Sequence, residues 1–133
     1  MTGKVDWFER DVLLKIEDTT DEALTDLAFQ GEALAKVNIQ ANGQIDTGFM
    51  LNSTYGLGPT GDHRAQAEAE ASAVAERQMA GPPSLEEGQA AIHAAAEYAV
   101  YQEMANSFLY RAVEQLQEEA GGIIEDVARR KGL

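Results

Sequence analysis

Two short constellations in this chain pair residue types with spacings that do chemistry in other proteins. Asp46-Thr47-Gly48 is the triplet that carries the catalytic carboxylate of aspartic proteases, and Gly121-Gly122-Ile123-Ile124 echoes their later glycine segment. Two such carboxylates sharing a proton across a dimer would form an acid–base pair. That chemistry is built on an all-β frame, however, and this chain reads as helical at both ends. The plainer reading makes Thr47 a turn cap and Gly48 the bend. The second constellation is His93 with Glu97, at i,i+4 spacing; His63 is the only other histidine. A metal ion needs three or four ligands, each oriented by a further hydrogen bond, and no additional ligand is indicated. Ser53 and Ser107 have no neighbouring base, and no glycine-rich phosphate loop or nucleophile elbow occurs. No catalysis, no metal and no cofactor are therefore expected.

The elements that would position these residues belong to a chain of 133 residues with a net charge of −13 and no cysteine. That length suits one domain, here 1–133, large enough to bury a core without disulfides. The acid excess argues against a nucleic-acid-binding module, which needs a basic face. No stretch approaches the roughly 18 apolar residues of a membrane span. Lys4, Asp6, Glu9, Arg10 and Asp11 leave no apolar core for a secretory signal. Asn52-Ser53-Thr54, a glycosylation acceptor by pattern, then carries no weight.

Residues 5–40 read as one long amphipathic helix, or two in series. Val5, Phe8, Val12 and Ile16 share a face, and Leu24, Leu27, Leu34 and Val37 resume it. Asp6 with Glu9, and later Thr20, are candidate caps. Asn42-Gly43 closes the helix. A helix over 5–40 would be about 54 Å long at 1.5 Å per residue, too long to lie inside one small domain. A turn over 46–50 and a strand near 51–57 follow. Residues 62–80 are helical by composition, although alanine at every second position also suits a strand, and 59–85 reads as a mobile loop or insertion. Gly81-Pro82-Pro83-Ser84 breaks the chain. Residues 90–96 look helical by propensity. After Asn106-Ser107, a final helix carries Leu109, Val113, Leu116, Ala120, Ile124 and Val127 on one stripe. Tyr98, Tyr101, Phe108 and Tyr110, together with Glu97 and Glu103, form an aromatic–carboxylate band that suits either a core edge or an interface.

The ordered set Asp46-Thr47-Gly48-Phe49-Met50-Leu51-Asn52-Ser53, Glu97-Tyr98-Ala99-Val100-Tyr101-Gln102-Glu103 and Phe108-Leu109-Tyr110-Arg111-Ala112-Val113 resembles the tail-completion, or head–tail joining, neck proteins of long-tailed phages. The resemblance spans about residues 5–120. It departs from the family where Met104-Ala105-Asn106-Ser107 replaces a longer loop containing proline, and where Gln44-Ile45 stands in place of a proline before the turn.

The resemblance implies an α+β domain: a long N-terminal helix, a small antiparallel β-sheet and a C-terminal helix. Thr47 and Gly48 would lead into the first strand, with Leu51 and Ser53 on it, and residues 89–95 would be a second strand. Tyr98, Ala99 and Tyr101 would pack the short helix that follows, Glu103 would end it, and Phe108, Leu109 and Ala112 would seat the last helix on the sheet. The implied role is structural. Copies would form a homo-oligomeric ring, a hexamer, in the virion neck, between the head connector or stopper and the tail-tube or tail-terminator proteins. DNA would pass through the lumen without specific binding, and no membrane would be involved. An acidic helical adaptor or assembly regulator outside any particle is the alternative.

Overall fold

The protein is an α+β domain built on a five-stranded antiparallel sheet of order β1-β2-β5-β3-β4. Its computed structural model describes residues 3–7, 11–16, 21–44, 48–96 and 98–130. The first departure from the helical expectation comes at once. Residues Gly3–Trp7 (β1) and Asp11–Ile16 (β2) pair antiparallel, with Val5 opposite Leu14 and Trp7 opposite Val12. The long helix α1 therefore runs only over Asp21–Ala41. Val12, Leu14 and Ile16 recur every second residue, while Val12 and Ile16 also fit a helical stripe. Pairing of β2 with a central strand, Leu13 against Ala91, decides between the two. Asp6, expected as a helix cap, lies instead on β1 opposite Leu13, because the segment is paired as a strand; Glu9 and Thr20 lie outside the described residues.

Asp21 and Glu22 stand in the first turn of α1, where the exposed amide end favours negative charge. The helix closes at Gly43, with φ of +69°, as the Gln44 amide donates back to the Ile39 carbonyl at 3.0 Å. Gly48, at φ +86°, leads into a short helix α2 over Phe49–Ser53. Leu51 and Ser53 consequently lie on a helical turn and not on the strand expected near 51–57, which begins only at Thr54. The hydroxyls of Ser53 and Thr54 donate to the Met50 carbonyl at 3.3 and 2.8 Å, which satisfies the end of that turn and holds it helical. Thr47 lies outside the described residues.

Strand β3 (Thr54–Gly58) turns into the short β4 (Gly61–Asp62) and then into α3 (Arg64–Val74). The Asp62 carboxylate accepts from the Arg64 amide at 2.9 Å, and Arg64 pairs with Glu68 one turn on. Of the alternating alanines here, Ala67 and Ala71 are buried, and their four-residue spacing is that of a helix face. Within 59–85, Met79 and Leu85 pack on the sheet, and the Ala80 amide donates to the Ala95 carbonyl at 2.8 Å.

Residues Gln89–Ala94 form a strand (β5), as the resemblance implied and as alanine propensity did not, and it occupies the middle of the sheet. Both its faces are covered. Ala90, Ile92 and Ala94 join the larger core with α1 and the C-terminal helix α5 (Leu109–Arg130), while Ala91 and Ala95 face Tyr55, Leu57 and Ala67. The helices α1 and α5 run antiparallel. Asn38 donates to the Phe108 carbonyl and the Gln115 side chain at one end, and Arg130 holds Asp26 (2.6 Å) and Glu22 (3.7 Å) at the other. The hydrogen bond that Arg130 donates to Asp26 is the main reason its pKa rises further above its already high value.

Gly121 and Gly122 lie inside α5. Both are exposed within a continuous helix, and a Cβ at either would meet nothing within 4 Å. Gly121→Ala and Gly122→Ala are each expected to stabilise the fold by about 0.5–1 kcal/mol, readable as a higher urea midpoint. A destabilised variant would place a neighbour against that face. No described helix is long and apolar enough to cross a membrane.

Candidate functional site

The three motif segments all bury side chains in the larger core, and they form one corner around the short helix α4 (Ala99–Ala105): Phe49 of α2 shares a groove with Tyr98 and Tyr101, and Glu103 binds the first amides of α5. Phe49, Met50, Ala99, Phe108, Leu109 and Ala112 are all fully or almost fully buried in one cluster, and Leu51 and Tyr98 pack against its edge. Gly48 supplies the turn that brings α2 into that cluster.

Glu103 is the keystone of the corner. Its carboxylate leaves α4 and accepts from the Ser107 hydroxyl (2.6 Å) and from the amides of Phe108 (2.8 Å), Leu109 (2.8 Å) and Tyr110 (3.2 Å). One side chain thus satisfies the amides that the first turn of α5 leaves open and places its negative charge at the positive end of the helix dipole. Ser107 itself does not cap α5 but steadies the carboxylate that does. The opposite side of the corner is tied by α1: Gln44 donates to the carbonyls of Gln102 and Asn106, and Asn42 to that of Ser107, at 2.8–3.0 Å.

Not all of the aromatic band is inward. Tyr101 was expected to pack α4, yet it is 72% exposed, and Met104 (80%) and Tyr110 (54%) join it in solvent. The reason is helical phase: Ala99 takes the buried position on α4, which turns Tyr101 and Met104, three residues apart, outward together. Beside them lies an open groove of about 720 Å³, lined by Phe49, Arg77, Gln78, Tyr98 and Tyr101. The Arg77 guanidinium stands 5.4 Å over the Tyr98 ring, within cation–π range. Arg77 carried no sequence signal beyond being a base in an alanine- and glutamate-rich stretch.

The other constellations disperse. His63 stacks on Phe29 with ring centres 3.7 Å apart, and its Nδ1 is 3.0 Å from Glu32, whose carboxylate also accepts from the Gly56 amide. His93 is buried on a strand, edge-on to Tyr55 at 5.3 Å, so the helical spacing to Glu97 does not apply; Glu97 lies outside the described residues. No group of three potential metal-ligating side chains occurs among the described residues. Asp46 also lies outside them, and Gly121-Gly122-Ile123-Ile124 is part of a helix, not of a protease-like β frame. No protein family, characterised protein or solved structure matches this chain.

Proposed function

We propose that this chain is a structural subunit of a virion neck, closing as a hexameric ring at the head–tail junction of a long-tailed phage and letting DNA pass. The observation that carries this reading is the corner itself. Motif segments that lie far apart in sequence converge there on one core, and the same corner holds Tyr101, Met104 and Tyr110 out into solvent. Large exposed tyrosine and methionine side chains of this kind are typical of surfaces that another protein covers. The net charge of −13 suits a lumen through which DNA slides without being held. The subunit would meet the head connector on one side and the tail tube or its terminator on the other.

Native mass spectrometry and negative-stain electron microscopy of the purified chain test this reading. Closed rings that fail to retard duplex DNA in a gel are the expected result. A chain that stays monomeric at high concentration, with virus particles lacking it still attaching their tails, would overturn the reading and favour an acidic adaptor.

A further inference from the structure

Most described basic side chains are engaged within the chain. Lys36 pairs with Glu32, Arg64 with Glu68, Arg129 with Glu125 and Asp126, and Arg130 with Asp26 and Glu22. Arg77 and Arg111, both exposed, make no ion pair among the described residues. Arg77 lies at the aromatic corner. Arg77 borders the groove of Tyr98 and Tyr101 and also a smaller adjoining one of about 340 Å³, while Arg111 follows the exposed Tyr110. Between Tyr98 and Arg111 the one acid is Glu103, whose carboxylate is turned into the α5 amides. Among its described lining residues the groove thus carries one charged side chain, Arg77, with the exposed Glu76 beside it in sequence. The solvent side of α5 has the opposite character: Glu114, Glu118 and Glu119 are exposed, and no ion pair engages them among the described residues.

Two such acidic molecules repel one another over most orientations, and they associate where opposite charges meet and like charges are kept apart. We propose that the groove of Arg77, Tyr98 and Tyr101 on one copy receives the Glu114–Glu119 side of α5 on a second copy. Arg77 meets the glutamates, and Tyr101 and Met104 cover the helix beside them. The two surfaces differ, so the contact is head-to-tail, the kind that closes into a ring when the rotation between copies permits. This inference rests on the ring reading above and names the surfaces that would build it.

The test is sedimentation velocity and native mass spectrometry on the full chain and on variants whose helix content and unfolding midpoint match the parent. Arg77→Glu and Tyr101→Ala are each expected to weaken self-association about tenfold or more. Adding Glu114→Arg and Glu118→Arg to Arg77→Glu is expected to restore it. If the parent assembles while Arg77→Glu and Tyr101→Ala assemble equally well, the groove is not the contact and the inference falls, though the ring stands. If Arg77→Glu weakens assembly but the α5 reversals do not rescue it, the groove has another occupant and the inference falls likewise. A parent that never assembles defeats the ring reading first, and this inference with it.

Discussion

Gly56→Ala is expected to lower the stability of the domain by about 3 kcal/mol, the upper range for overpacking a filled interior, with a fall in melting temperature of roughly 10 °C. A Cβ at position 56 would sit 2.5 Å from the Ala28 carbonyl oxygen and 2.7 Å from its carbon. These are backbone atoms in the middle of α1, so no rotamer change relieves the clash. Strand and helix must move apart instead. That movement would disturb the Glu32 carboxylate, which accepts from the Gly56 amide at 2.8 Å and holds His63. Gly61→Ala is the matched control, since a Cβ there meets nothing within 4 Å. Thermal melts of the two variants check the expectation. Equal midpoints would show that α1 does not press on β3 as described.

Glu103→Ala is expected to cost about 2–4 kcal/mol, more than an ordinary helix cap, because its hydrogen bonds are charge-assisted and converge on one carboxylate. Removal leaves the amides of Phe108 and Leu109 without an acceptor beside side chains that are fully buried, where replacement by water is hindered. Glu103→Gln keeps an acceptor oxygen but loses the charge, and it should recover about half of the loss. Urea denaturation with an unchanged slope reads the difference. A loss below about 1 kcal/mol for the alanine variant would mean that the α5 start is held by packing alone. Because Glu103 joins α4 to α5, the same variant should also loosen the presentation of Tyr101 and Met104, and self-association should weaken even where the fold survives.

The sequence by itself determined the C-terminal helix, the chain closures at Gly43 and Gly48 and the helical half of the N-terminal element. Each of these is a local matter. Leu109, Val113, Leu116 and Val127 repeat with the period of one helix face, and a residue that tolerates positive φ marks a turn wherever it stands. Tertiary structure alone decided the rest. Val12 and Ile16 fit both periods, and only the pairing of their strand with β5 resolves them. In turn, the alanines of β5 form a strand against their propensity, because α1 and α5 close over one face, and α3 with Met79 and Leu85 over the other, and leave room for little else. The corner of Arg77, Tyr98 and Glu103 follows the same logic. Its contacts join α2, the segment after α3, α4 and α5, and no local pattern records an encounter between residues that only the folded chain brings together.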